Sequence, residues 1–123
     1  MTIKEAIDQA AILEPSQYPQ SIQVLWLSDL DGQIYDELVR THEDPIAEVR
    51  PVYAPDVDEE TDLLVPEPYA DLYRWYLVGR IQTANGDLDR YNNTLTLYTH
   101  AYDAFAAYYN RTHMPCAPHR FIY

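Results

Sequence analysis

The sequence has few of the residues on which several classes of protein depend. Its 123 residues include one cysteine, Cys116, and three glycines. A single cysteine excludes an internal disulfide, and the first residues show no apolar run after a basic patch. Both observations predict a protein made in a reducing cytoplasm. Three glycines do not suffice for a phosphate-binding loop of the usual form. No stretch approaches the roughly 20 apolar residues of a membrane-spanning helix, so we expect no membrane partner.

Positive charge is also scarce. Eight Lys and Arg stand against 20 Asp and Glu, which gives a formal net charge of -12. A surface this acidic repels phosphate and argues against ordinary nucleic-acid or anionic-membrane binding. Three interpretations of the acidity stay open: solubility alone, a wall past which DNA slides without adsorbing, or imitation of DNA in the basic cleft of another protein.

The sequence lacks motifs for catalysis and metal binding. Its three serines lie outside any Gly-x-Ser-x-Gly turn, and its four histidines do not have the spacing of a zinc site. Acidic residues of the stretch 56–67 match a calcium-loop template, but Thr61 replaces the required glycine and Pro66 interrupts the loop. We therefore predict no catalytic residue, no metal ligand and no cofactor, and we expect that the protein is not an enzyme.

Hydrophobic periodicity predicts an all-α fold, a small bundle of about four helices. Thr2 and Glu5 have the spacing of a capping box at the start of the first helix, which we place at the periphery. A second helix spans 20–41, and a third begins at Pro68 and ends at Asn85-Gly86. The third and fourth helices form a central hairpin on which the second helix packs. The apolar seam of the fourth helix consists of Leu88, Tyr91, Leu95, Tyr98, Tyr102, Phe105 and Tyr109.

The stretch 42–68 interrupts this helical pattern with five prolines. Val49, Val52 and Tyr53 suggest one short strand, and residues 63–65 suggest another, with an acidic tip at 56–62 between them. We expect an extended arm or β-hairpin that reaches a neighbouring molecule, and a solvated loop is the alternative. The single helical domain then covers residues 1–115, with the arm at 42–68, and a C-terminal tail covers 116–123.

Tyrosine is unusually frequent among the aromatic residues, with 12 Tyr against two Phe. Its ring is apolar and its hydroxyl needs a hydrogen-bond partner, so it suits protein interfaces, but it also suits core edges near solvent. The candidate residues of a subunit or helix interface are Trp26, Tyr73, Tyr76, Tyr98, Tyr102 and Tyr109. The second helix carries Asp29, Asp31, Asp36 and Glu37 on what we take to be its outer face. The candidate acidic residues of a channel lining or of the arm are Asp29, Asp36, Asp58, Glu59 and Glu60.

Four blocks of sequence carry a resemblance to a known family. They are Trp-Leu-Ser-Asp-Leu-Asp-Gly-Gln-Ile-Tyr at 26–35, Leu-Leu-Val-Pro-Glu-Pro-Tyr at 63–69, the stretch 84–93, and Tyr-Asn-Arg-Thr-His-Met-Pro at 109–115. In this order they resemble small proteins encoded beside the capsid genes of phages and prophages of Gram-positive bacteria. That group is similar to the head–tail connector, or adaptor, proteins of long-tailed phages.

The resemblance implies a structural role in the virion, made in the cytoplasm of the bacterial host. It implies a ring of about a dozen copies below the portal that extends the DNA channel. The implied partners are other copies of the chain, the portal protein and a tail-side completion protein, and DNA passes through without specific binding. The stretch 42–68 and the residues after Met114 are then candidates for contacts between subunits. An acidic DNA mimic that inhibits a nucleic-acid-binding protein is the alternative function.

Overall fold

The chain folds into four α-helices, as described by a computed structural model for residues 1–116. The helices are α1 (Ile3–Leu13), α2 (Gln20–Ile34), α3 (Asp71–Ala84) and α4 (Leu88–Thr112), and α2 continues into one π-helical turn at Tyr35–Val39. Within residues 1–116 there is no β-strand, and two isolated bridges are the only β-type pairs. The predicted all-α fold is therefore confirmed, and the predicted β-hairpin is wrong.

Local sequence signals define several helix ends. The Thr2 hydroxyl accepts the Glu5 N–H at 3.2 Å, and the Glu5 carboxylate accepts the Thr2 N–H at 2.9 Å, which completes the predicted capping box. Gly86, with a φ of 75°, takes the left-handed conformation just after α3. The predicted start at Pro68 is wrong, because α3 begins three residues later at Asp71.

Helix α1 lies inside the packing rather than at the periphery where the sequence placed it. Ala6 and Ala10 are fully buried, and such small side chains let α1 approach its neighbours closely. At the end of α1, the buried Glu14 accepts a hydrogen bond from the Gln82 side chain of α3 at 3.1 Å. Glu14 also forms an ion pair with Arg90 of α4 at 2.5 Å. These contacts join α1 to both helices of the central hairpin.

A carboxylate lies at the centre of the core. Asp31 of α2 has no exposed surface, so its predicted place on the outer face is wrong. The hydroxyl groups of Tyr53 and Tyr73 each donate to it at 2.5 Å, and the Leu64 N–H donates at 3.0 Å. The Tyr73 hydroxyl in turn accepts the Val65 N–H at 2.8 Å. We call Asp31, Tyr53 and Tyr73 the Asp31 network.

Burial governs the ionisation of the Asp31 network. It raises the pKa of Asp31, and this effect outweighs the three hydrogen bonds that favour the ionised carboxylate. Burial, followed by the nearby Asp31 carboxyl, also raises the pKa values of Tyr53 and Tyr73. Both phenols therefore keep their protons near neutral pH and act as donors to Asp31.

The stretch 42–68 packs on its own chain instead of forming a hairpin. Leu63 and Val65 are buried in the core. The carbonyl groups of Glu59 and Thr61 accept the N–H groups of Lys4 and Ile3 at 2.9 and 3.0 Å. The acidic stretch 56–62 therefore caps the N-terminus of α1, whose partial positive charge suits acidic residues. Backbone N–H and C=O groups that would pair with each other in a hairpin instead form hydrogen bonds with α1 and with Asp31.

The last described residues are fixed beside residues 41–43. The Glu43 N–H donates to the Met114 carbonyl at 2.7 Å, and the Cys116 N–H donates to the Thr41 carbonyl at 2.9 Å. The buried His42 ring lies 2.6 Å from the Asn110 side-chain oxygen. Cys116, which the sequence assigned to the tail, is therefore attached to the domain. The rest of the predicted tail, 117–123, lies outside the described residues.

The replacement Asp31→Ala should lower the free energy of unfolding by about 3–4 kcal/mol, because it leaves three donors near the core without an acceptor. Urea denaturation followed by circular dichroism measures this loss. Asp29→Ala, an exposed carboxylate two residues earlier, is the matched control and should change stability by less than about 0.5 kcal/mol. Equal effects of the two replacements would contradict the central role of Asp31.

The raised pKa of Asp31 fixes the sign of a pH effect. Since the folded state holds this proton more tightly, its stabilising contribution is complete below the unfolded pKa of about 3.9 and is lost as pH rises through the folded value. Relative to Asp31→Asn, the wild-type free energy of unfolding should therefore fall with rising pH in that window. Urea denaturation at a series of pH values measures the difference, and a rise would contradict the assignment.

Candidate functional site

An open groove lies on the surface between α2, α3 and the first half of α4. Its volume is about 520 Å³, within the range of pockets that bind ligands. We call it the aromatic groove, and its principal lining residues are Trp26, Trp75, Tyr76, Arg80, Tyr91 and Tyr98. The remaining lining residues are small or aliphatic.

The groove exists because small residues form its floor where α3 and α4 meet. A Cβ atom at Gly79 would lie 3.4 Å from the Tyr91 ring and 3.6 Å from the Thr94 methyl group. Because Gly79 has no side chain, α4 approaches α3 closely and the larger rings stand around the contact. The Asn85-Gly86 turn then determines which part of α4 lies opposite α3. Thus the groove follows from the sequence of the α3–α4 hairpin.

One arginine side chain gives the aromatic groove a positive charge. The Arg80 guanidinium lies 5.1 Å from the centre of the Trp26 ring and 5.9 Å from that of Tyr76. Arg74 on the same helix lies 5.0 Å from the Trp75 ring, but it is paired with Asp71 at 3.4 Å and does not line the groove. Arg80 forms no ion pair within 4 Å with any carboxylate of residues 1–116. The groove therefore offers ring faces and an available cation in a chain of net charge -12.

The hydroxyls of Tyr76 and Tyr98 are uncharged near neutral pH. Burial raises the pKa of Tyr98 and also that of Tyr76, although Arg80 opposes the shift at Tyr76. The lining contains no carboxylate, histidine or cysteine. Its chemistry is therefore that of a surface that binds apolar or aromatic groups and anions, with hydroxyls available for hydrogen bonds.

A smaller groove of about 290 Å³ continues from the first one. Its lining includes Ile34 and Glu37 from α2 and its π-helical turn, together with Tyr102 of α4. Tyr76 and Tyr98 line both grooves, and their ring centres are 5.7 Å apart. This ring pair separates the two depressions. An acidic side chain, Glu37, therefore lines the smaller groove, and Arg80 lines the larger one.

The structure divides the predicted interface residues into two groups. Trp26, Tyr76, Tyr98 and Tyr102 are half-buried and line the two grooves. Tyr73 belongs to the buried Asp31 network, so it joins helices within the chain.

The sixth candidate, Tyr109, is also buried within the chain. Its ring stacks on His113 with centres 3.8 Å apart, and its hydroxyl accepts the Ile46 N–H at 3.4 Å. Tyr109 therefore fixes the end of α4 and the stretch after α2, and it does not contribute to the grooves.

The predicted acidic residues do not form one cluster. Asp29 is exposed on α2, and Asp36 pairs with Arg50 at 3.6 Å. Asp58, Glu59 and Glu60 lie in the stretch that caps α1, where the Asp58 carboxylate accepts the Glu60 N–H at 3.0 Å. The Glu59 carboxylate accepts a hydrogen bond from the Gln20 side chain at 3.3 Å.

Sequence reasoning missed Trp75 and Arg80. Periodicity predicts that the apolar row of α3 is Leu72, Tyr73, Tyr76, Leu77, Ile81 and Ala84. Trp75 lies outside this row, and a tryptophan in that position indicates an exposed aromatic surface. Arg80 follows Tyr76 by four residues on the same helix, which is the spacing of neighbouring side chains. Both signals were present in the sequence, but neither identifies the residues of α2 and α4 that complete the groove.

Among residues 1–116, no group of three or more His, Cys, Asp or Glu side chains is arranged to hold a metal ion. None of the described helices is long and apolar enough to cross a membrane. No protein-family model, curated protein or solved structure matches the chain. The aromatic groove is therefore the feature of the described structure on which a function can be argued.

The dye 8-anilinonaphthalene-1-sulfonate tests the chemistry of the groove, because it combines aromatic rings with an anion. We expect the folded protein to increase its fluorescence. Arg80→Glu should weaken dye binding about tenfold by removing the cation that faces the sulfonate. Arg111→Glu, at an exposed position near the end of α4, is the control for net charge and should bind the dye like the wild type. Equal weakening by both replacements would contradict binding at Arg80.

Proposed function

We propose that the protein is a structural component of a phage virion, a head–tail connector whose copies assemble into a ring below the portal. The observation that carries the proposal is the aromatic groove, which the described part of the chain leaves open. The four sequence blocks that resemble phage proteins encoded beside capsid genes support the same function. The protein acts by binding copies of itself, the portal protein and a tail-side completion protein.

The residue types in the groove suit protein association. Trp, Tyr and Arg are the residues that most often dominate the energy of protein interfaces. Leu95 lines the groove and is 41% exposed although its side chain is apolar. Open aromatic and aliphatic surface of this kind is typical of protein-binding sites. Contact with another chain would remove it from water and supply the favourable free energy of assembly.

The charge of the chain suits a channel through which DNA passes. A negatively charged wall repels phosphate and so keeps DNA from adsorbing. In a ring, exposed carboxylates such as Asp29 and Glu60 are candidates for the channel surface. We propose that DNA contacts this wall only in passing.

Electron microscopy of the protein mixed with the portal protein of the same phage tests this function. We expect rings of the chain stacked on portal particles, with the rotational symmetry of the portal. Leu95→Asp should prevent ring formation, because it places a charge in the aromatic groove. Leu97→Asp is the matched control on the same helix, with similar exposure but outside the groove, and should form rings.

Portal particles without added density would contradict the connector function. Competition between the protein and DNA for a basic nuclease would instead favour the DNA-mimic alternative, which predicts binding that weakens steeply with salt. Equal loss of rings in Leu95→Asp and Leu97→Asp would contradict assembly through the aromatic groove.

A further inference from the structure

A second exposed surface of the chain has the chemistry to fill the aromatic groove. It consists of residues 48–56, which we call the proline segment. Val49 and Val52 are 77% and 75% exposed although both are apolar, and Pro55 is exposed as well. Pro51 and Pro55 fix their own φ at about -65° and disfavour helical backbone at the residues before them.

Bends at residues 48 and 49 begin the segment, residues 50–54 belong to no helix or strand, and the Val57 N–H closes a turn on the Ala54 carbonyl at 3.0 Å. The apolar side chains of Val49, Val52 and Pro55 are exposed along this path. Glu48 and Asp56 place a carboxylate at each end, and the one cation of the segment, Arg50, is paired with Asp36 at 3.6 Å. The segment therefore combines exposed apolar side chains with negative charge.

The proline segment is held on α2 of its own chain. The Tyr35 hydroxyl donates to the Glu48 carbonyl at 3.0 Å, and the Tyr53 N–H donates to the Ser28 hydroxyl at 2.9 Å. The Tyr53 side chain is anchored in the Asp31 network. No residue of the segment lines the aromatic groove of the same chain. Because the proline segment is fixed away from the aromatic groove of its own chain, it reaches such a groove only on another copy.

We propose that the aromatic groove of one copy binds the proline segment of a second copy. Aromatic rings offer flat apolar faces on which proline and valine side chains pack, and aromatic-lined grooves bind proline-rich segments in other proteins. Arg80, which has no ion pair within the described residues, supplies a cation for one of the two carboxylates, Glu48 or Asp56. This attraction opposes the repulsion between two acidic molecules. The proposed contact rests on the proposed function, because both require copies of the chain to bind each other.

The contact has a direct consequence for assembly. Because it joins two different surfaces, each bound pair still has one open groove and one open segment. Such head-to-tail contacts produce a closed ring when the rotation between copies closes, and a filament when it does not. The proposed contact is thus of the type that a ring requires, unlike a two-fold contact that ends at a dimer.

A synthetic peptide of residues 46–58 tests recognition separately from ring formation. The chain has two tryptophans, both of which line the groove, and the peptide has none. Tryptophan fluorescence of the full chain therefore reports binding at the groove. We expect a saturable change that Arg80→Glu weakens about tenfold, with Arg111→Glu as the unaffected control. A peptide with Val52→Asp should also bind about tenfold more weakly.

Mixing two variants of the full chain tests the head-to-tail geometry. Arg80→Glu damages the groove, and Val52→Asp damages the segment. Sedimentation velocity should show that each variant alone is monomeric. Their mixture should form a dimer, because one intact groove then meets one intact segment, and should grow no further. Ile12→Asp, at another highly exposed apolar position, is the control for added charge and should assemble like the wild type.

The outcomes separate this inference from the proposed function. Rings on the portal without peptide binding, or a mixture that stays monomeric, would overturn the proposed contact and leave the connector function in place. Tight binding of a peptide of residues 114–123 in place of 46–58 would also overturn it. Peptide binding with a dimeric mixture, but without rings on the portal, would support the contact and contradict the connector function.

Discussion

The fold depends on one buried carboxylate and the donors gathered around it. Asp31 accepts hydrogen bonds from the side chains of Tyr53 and Tyr73 and from the backbone of Leu64. These donors belong to α3 and to the long segment that follows α2. The hydrogen bonds thus join three parts of the chain that helix periodicity alone would not bring together. A carboxylate without these partners would be costly inside the core, so the arrangement favours a single placement of the segment.

The same constraint determines which surfaces stay open. Since the segment 42–68 is bound to α1 and to Asp31, it covers those elements and does not extend over the first half of α4. There, the rings around Gly79 remain open to solvent, and Arg80 lies across two of them. On the segment itself, the Tyr53 side chain is buried while Val49 and Val52 remain exposed. One buried network therefore leaves two complementary surfaces uncovered on one molecule.

Local features of the fold were predictable from the sequence, and contacts between distant residues were not. The capping box and the Asn85-Gly86 helix end depend on residues within a few positions of each other, so their signals are complete in a short stretch. Asp31 lies next to other acidic residues on a helix, and nothing nearby distinguishes it from Asp29.

The hydrogen-bond donors to Asp31 lie 22 to 42 positions away in the sequence. Because no local pattern reveals these contacts, the sequence predicts Asp31 on the outer face of α2 and a hairpin in the stretch 42–68. The candidate site shows the same limit. Aromatic residues of the grooves such as Tyr76 and Tyr98 were identified as interface candidates by type. The sequence does not distinguish these groove residues from Tyr73 and Tyr109, which the three-dimensional structure shows to be buried.

The Asp31 network also bears on the speed of folding. Helices form within about a microsecond, and neighbouring helices such as α3 and α4 meet after closing only a short turn. The hydrogen bonds to Tyr53 and Tyr73 instead close loops of 22 and 42 residues, which costs more chain entropy than local contacts do. Ordering of the long segment, rather than helix formation, is therefore expected to set the time that a newly made chain needs to reach its folded state.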